Sequence, residues 1–209
     1  MLGYKHIVFD IDGTLADSYE ASVSSLRQVV YERTGKSLDD EELAFSFGIP
    51  GADTLKRLGM EADALQRWAE LENAHASSVA VFDGVWLMLA ELSEEGFELG
   101  IVSSRAHREY EAAIEPLGFC DYFKTVVLAE DTEQHKPSAA PMLAYIAKAG
   151  AAPEEVLYVG DTAHDSACAR AAGVDFAFAQ WGARQVVDGY DFLCTAPGSV
   201  VDVARFGEH

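Results

Sequence analysis

Ile7-Val8-Phe9-Asp10-Ile11-Asp12-Gly13-Thr14-Leu15 is the stretch whose reading decides the fold of this 209-residue chain. Ile7-Val8-Phe9 has the length and apolar character of a buried strand, and Asp12-Gly13 breaks it abruptly. The two carboxylates therefore stand at a strand's carboxyl end, where open α/β sheets place their ligands. Strand alternation sends Asp10 and Asp12 to the same side. Two like charges about 4 Å apart repel by roughly 4 kcal/mol at an effective dielectric of about 20, so a positive group is expected between them. A magnesium ion (Mg2+) suits the position, because it takes oxygen ligands and is held by one or two carboxylates together with substrate phosphate. The plain alternative is an Asp-Gly turn that merely ends a strand.

Working outward, the chain from Gly84 alternates helix and strand. Val85, Met88, Leu89 and Leu92 form one face of a helix that Gly96 ends, and residues 97–102 follow as a strand. Residues 104–117 read as helix, 125–128 as strand and 138–149 as helix with Met142, Leu143 and Ile146 inward. Residues 156–159 read as strand, 164–172 as helix and 174–178 as the last core strand. Beyond it, Val200 to Phe206 form a surface helix. This alternation predicts an α/β fold, a doubly wound parallel sheet of Rossmann-like kind with right-handed crossovers.

Residues 17–82 differ in character, with helical stretches and no convincing strand. Tyr19, Val23, Leu26 and Val30 recur at helical spacing, Ser18 is placed to cap that helix, and Gly35 ends it. A short helix lies around Leu43-Ala44-Phe45, then a loop at Phe47-Gly48-Ile49-Pro50-Gly51, then helix over 53–58. A longer helix over 61–79 carries Ala64, Trp68 and Leu71 on one stripe, with His75 as a packed histidine. The block is either a separate small domain or an extension of a single one.

The chain carries 35 acidic against 15 basic side chains, a net charge of −20. Such a surface argues against nucleic-acid or anionic-membrane binding, both of which favour basic patches. Cys120, Cys168 and Cys194 are odd in number and widely spaced, which indicates buried thiols rather than a disulfide framework or thiolate zinc site. A strand starting almost at Met1 leaves no room for a signal peptide, and no apolar run approaches the roughly 20 residues that span a bilayer. A cytoplasmic protein, monomer or homodimer, is expected.

Three later strand ends also deliver polar residues. Leu99-Gly100-Ile101-Val102 runs into Ser103-Ser104-Arg105, His135-Lys136-Pro137 precedes a helix, and Val156-Leu157-Tyr158-Val159 runs into Gly160-Asp161-Thr162-Ala163-His164-Asp165. Each has a local explanation: Ser103 as a helix cap, Lys136 as a surface lysine, Asp161 and Asp165 as acids favoured at a helix N-terminus. Together with Asp10-Ile11-Asp12-Gly13-Thr14, these four segments resemble, in order, the four motifs of the haloacid-dehalogenase-like (HAD) hydrolases, most closely the phosphoglycolate-phosphatase-like group. One departure stands out: the proline usual two residues after Pro137 is absent, and Ser138-Ala139-Ala140 intervenes before Pro141.

The resemblance implies a catalytic core over 1–16 and 83–209 and an inserted helical cap over 17–82. It implies that Asp10 is a nucleophile that becomes an aspartyl phosphate and Asp12 a general acid and base. Ser103 and Lys136 would bind the phosphoryl group, with magnesium held by Asp10, Asp12 through its carbonyl, and Asp161. Asp165 would act on a metal-bound water or orient Lys136. Thr14, Ser104 and Arg105, with Gly48 and Ile49 of the cap loop, would meet the substrate. Arg105 and Arg108 also fit solvated helix positions, and Lys56 or Arg57 could support the loop. The expected function is magnesium-dependent hydrolysis of a small organic phosphate such as phosphoglycolate, because an apolar loop would leave sugar hydroxyls unpaired. The alternatives are a sugar-phosphate mutase, disfavoured because Pro50-Gly51 stands where mutases tend to carry Ser-Arg after the cap-loop glycine, and a non-catalytic phospho-ligand sensor, which would be expected to lack a motif carboxylate.

Overall fold

A computed structural model describes residues 3–207, the side chain of Ala76 excepted. The strands are β1 (His6–Phe9), β2 (Ala16–Asp17), β3 (Ala80–Val81), β4 (Glu98–Val102), β5 (Phe123–Val127), β6 (Val156–Gly160), β7 (Asp175–Ala179) and β8 (Phe192–Cys194). The helices are α1 (Tyr19–Thr34), α2 (Asp40–Leu43), α3 (Gly51–Arg57), α4 (Ala64–Ala74), α5 (Val85–Glu94), α6 (His107–Glu109), α7 (Ala140–Ala149), α8 (Ala163–Ala172) and α9 (Gly198–Phe206). Six strands form one sheet in the order β5-β4-β1-β6-β7-β8, every neighbouring pair parallel.

Alternation along β1 explains the layering. Ile7 and Phe9 join an apolar cluster with Val85, Met88, Leu89 and Leu92 of α5 and Val200 and Val203 of α9. Val8 points the other way, into a cluster with Met142 and Tyr145 of α7 and Cys168 of α8. Helices thus cover both faces, as the doubly wound reading expects. The chain builds β4 and β5 on one side of β1 and then returns to add β6 on the other. The strand order reverses at β1, and the crevice beyond its carboxyl end is the natural ligand site.

Helices α1 to α4 enclose a third cluster built from Val23, Leu26, Val30, Leu43, Leu55, Trp68 and Leu71. The chain leaves the sheet through β2 and returns through β3, and these two short strands pair antiparallel, Ala16 with Val81 and Asp17 with Ala80. Two residues each are too few to register as a periodic pattern, which is why the sequence showed no strand there.

Other expectations are corrected. Ser18 makes no side-chain cap on α1; its hydroxyl donates instead to Asp12. The helix expected over 104–117 begins only at His107, widens into a π-helical turn over Tyr110–Ile114 and tightens into a 3₁₀ turn over Glu115–Leu117. Pro116 has no N–H to continue an α-helical ladder. The helix expected over 61–79 is shorter, Ala64–Ala74. His75 is exposed rather than packed, though its Nδ1 lies 3.1 Å from the Ser25 hydroxyl. In α7, which starts at Ala140 rather than 138, Leu143 is exposed and Tyr145 takes the inward place. The sheet has one strand more than expected, β8, laid parallel to β7. Among the described residues no helix is long and apolar enough to cross a membrane.

Candidate active site

The register brings three strand ends together. Phe9 lies opposite Ile101 of β4 and Val159 of β6, so Asp10, Ser103 and Asp161 emerge side by side, one or two residues further on. The backbone then turns sharply: Gly13, Thr14 and Leu15 donate to Ala16 or Ile11 carbonyls. Gly13 has φ +78° and packs so tightly on Asp161 that a Cβ would lie 2.1 Å from its carboxylate oxygen. Only glycine meets both demands. Gly160 has a related role, since a Cβ there would come within 2.7 Å of Asp165.

Lys136 reaches into the middle of this floor. Its Nζ lies 3.0 Å from Asp10 Oδ1 and 2.7 Å from Asp165 Oδ1, all three side chains almost fully buried. It also donates to the Tyr158 hydroxyl at 3.0 Å, and that hydroxyl donates to Asp165 Oδ1 at 2.8 Å. Asp165 Oδ2 accepts from the backbone N–H and hydroxyl of Thr162 at 3.0 and 2.5 Å. Both Asp165 oxygens therefore already have partners within the chain, Oδ1 with Lys136 and Tyr158 and Oδ2 with Thr162. Tyr158 is a site residue that sequence reading passed over. Its signal was a hydroxyl in an otherwise apolar strand, two residues before the site glycine.

One carboxylate oxygen each from Asp10, Asp161 and Asp165 can be taken within 4.8 Å of one another. Burial pushes the Asp10 carboxyl up to about 7, with Lys136 pulling it down and Asp165 and Asp12 pushing it further up. Burial, then Asp165 and Asp10, hold Asp161 well above the usual range. For Asp165 the pull of Lys136 and its hydrogen bonds outweighs burial, and its carboxyl is lowered. Burial disfavours the charged Lys136, yet Asp10 and Asp165 raise it overall and keep it an ammonium. A hard divalent cation fits these oxygen donors, because it would stabilise the two carboxylates that burial alone leaves strained in their charged form. Thr14 donates to Asp161 Oδ1 at 3.3 Å.

Asp12 stands apart from that group. Arg105 grips it with two hydrogen bonds, Nε to Oδ2 at 2.8 Å and Nη2 to Oδ1 at 2.6 Å. The solvated helix position expected for Arg105 is thus incorrect: it is buried, while Arg108 is exposed. Above the floor lies a small cleft, open to solvent between the strand ends and the helical block. Gly48 and Ile49 line it, as do Ser104 and Arg105. Ser104 donates to the Gly48 carbonyl at 3.0 Å, and a Cβ on Gly48 would meet Thr162 at 3.0 Å, so the loop is seated on the strand ends. Lys56 and Arg57 do not line the cleft; Arg57 sits 4.2 Å over the Phe45 ring. Ser103 is buried and accepts from the Arg105 N–H at 3.3 Å.

Residues 7–179 match the haloacid dehalogenase-like hydrolase family. The chain belongs to that family. This haloacid dehalogenase-like hydrolase is 30% identical over 186 residues, 88% of its own length and 86% of the relative's, to Pyrophosphatase PpaX of Oceanobacillus iheyensis. A crystal structure from Lactobacillus plantarum, provisionally named a phosphoglycolate phosphatase, superposes with a TM-score of 0.84 at 27% identity, covering 96% of this chain and 99% of that one. CbbY from Rhodobacter sphaeroides in complex with phosphate gives a TM-score of 0.81 at 19% identity, over 94% and 96% of the two chains, and shares the fold. With these relatives, the hydrolase is an enzyme of the phosphatase kind.

Proposed function

We propose that the chain is a magnesium-dependent phosphomonoester hydrolase that works through an aspartyl phosphate on Asp10, acting on a small organic phosphate in the cytoplasm. The observation that carries this reading is the placing of Asp10: a buried carboxylate at the sheet's switch point, 3.0 Å from a buried lysine and beside two further acids. Asp10, Asp161 and the Asp12 carbonyl would hold the metal, with Asp165 within reach of it. Magnesium, when bound, supplies positive charge that draws electron density from the phosphoryl oxygens. Asp10 attacks phosphorus in line, and Lys136 and the Ser103 hydroxyl bind the phosphoryl oxygens, so catalysis rests on position and charge. Asp12 protonates the departing alkoxide and afterwards deprotonates the water that hydrolyses the acyl phosphate.

In this reading residues 17–82 are a cap inserted between core segments 1–16 and 83–209. The β2–β3 pairing supports that division, since it ties together the points where the chain leaves and re-enters the core. The contacts of Gly48 with Ser104 and Thr162 correspond to a cap that excludes water, which strengthens the polar interactions beneath it. Phosphoglycolate, expected from the sequence, and pyrophosphate, which the relatives' name suggests, are the reference substrates. A sugar-phosphate mutase would instead isomerise a sugar phosphate, faster with a bisphosphate present. The test is phosphate release from p-nitrophenyl phosphate with magnesium, with calcium and after chelation. Activity is expected with magnesium alone; activity that survives chelation overturns the metal assignment.

A further inference from the structure

The cleft above Asp10 has an unusual charge for an enzyme of phosphate esters. Among the described residues, Arg105 is the only lysine or arginine that lines it, against the four carboxylates of Asp10, Asp12, Glu72 and Glu109. Arg105 is already committed to Asp12 by its two-pronged pairing. Burial pulls its guanidinium down, but Asp12, Glu72 and Glu109 together raise it overall. One cation is thus shared among three acids, apart from the Lys136 and Asp10 that serve the phosphoryl group.

Glu72 is the acid that the fold had least reason to place here. On α4 its neighbours Glu70 and Asn73 face solvent and Trp68 and Leu71 face the block's apolar core, whereas Glu72 is partly buried and turned into the cleft. The Ser22 hydroxyl hydrogen-bonds it, and burial outweighs both Ser22 and Arg105, so its carboxyl is raised. Glu109 is raised likewise, first by burial, and one of its oxygens accepts from the Ala106 N–H. A carboxylate held away from water without a full set of partners gains most from a cation or a strong donor arriving beside it.

Resting on the proposed phosphomonoesterase activity, we infer that the substrate's leaving group ends in an ammonium, an aminoalkyl phosphate in chemical class, with Glu72 the residue that reads it. The Glu72 carboxylate receives the ammonium, Glu109 adds to the negative field, and Trp68, Phe47 and Ile49 cover the short carbon chain between ammonium and phosphate. A second anion, whether the carboxylate of phosphoglycolate or the second phosphate of pyrophosphate, would meet these acids, and the one cation among the described residues that lines the cleft is already paired with Asp12. Ranking by charge follows from the same repulsion that separates partners generally.

The test is kcat/KM for O-phosphoethanolamine and 3-aminopropyl phosphate against glycerol phosphate, phosphoglycolate and pyrophosphate, with magnesium, for the natural enzyme and for Glu72→Gln and Glu72→Lys. The expected result is a preference of about tenfold or more for an aminoalkyl phosphate over phosphoglycolate. Glu72→Gln should erase that preference mainly through KM, and Glu72→Lys should invert it. A natural enzyme that turns over phosphoglycolate, pyrophosphate or glycerol phosphate at least as well as both amines overturns the inference, as does a ratio unmoved in both variants. p-Nitrophenyl phosphate serves as the control: turnover of it with no amine preference rejects the inference alone, whereas no turnover of any ester rejects the phosphatase reading as well.

Discussion

Arg105 holds both oxygens of Asp12 at once, at 2.8 and 2.6 Å, from 93 positions further along the chain. Ser18 donates to the same carboxylate. A planar guanidinium meeting a carboxylate in this way fixes direction as well as charge. Asp12, the proposed acid, is therefore oriented by a residue that itself lines the cleft.

Arg105→Ala should lower kcat on alkyl phosphates by about 10- to 100-fold, a fraction of what general acid catalysis typically contributes. The loss on p-nitrophenyl phosphate should be smaller, because an activated phenolate leaves with little protonation. Arg105→Lys keeps the charge but not the fork and should recover only part of the activity. Steady-state assays on both ester classes check this; equal losses on both would show that Arg105 does not act through Asp12.

Lys136 and Tyr158 form one buried network with Asp10 and Asp165. Replacing Lys136 by Met leaves two buried carboxylates without their cation, a loss of about 3–5 kcal/mol. Tyr158→Phe removes one hydroxyl from Asp165 and Lys136 and should cost about 1–3 kcal/mol. Urea unfolding in the absence of metal measures both. A Tyr158→Phe protein as stable as the natural one would mean that the hydroxyl contributes nothing to the network.

Asp10 and Asp161 titrate above the ordinary carboxylate range. A raised acid holds its proton more tightly in the folded chain than in the unfolded one. Its contribution to stability is therefore full below the unfolded value, about 4, and is lost as pH rises through the folded value, about 7 for Asp10. Magnesium competes with those protons. The melting temperature gained on adding magnesium should therefore be larger at pH 8 than at pH 5.5, which paired melts with magnesium and with chelator will show. An equal gain at both pH values would place the metal elsewhere.

The sheet was legible because its strands are short apolar runs that end in polar residues at glycine or serine, a purely local signal. Asp10 stood out for the same reason, whereas Ser103, Lys136 and Asp161 each had an ordinary local explanation and were drawn into one site only by the order of the four motifs. Pairings between distant segments left no such trace. Ser18 looks like a helix cap until Asp12 is seen beside it, and Arg105 looks solvated until Asp12, Glu72 and Glu109 close around it. Glu72 reads as a polar position on an amphipathic helix, and only the packing of α4 over the strand ends turns it into the cleft. Strand β8 needs β7 as a template, and its three residues carry too little pattern to announce it.

The central claim is that Asp10 is the nucleophile that attacks phosphorus. Rapid-quench trapping with labelled phosphoryl substrate measures it directly, using a good leaving group in the natural enzyme, Asp10→Asn and Asp12→Asn. Covalent phosphate should appear transiently in the natural enzyme, persist longer in Asp12→Asn, where no base remains to activate water, and be absent in Asp10→Asn. Phosphoenzyme that still forms in Asp10→Asn would contradict the account.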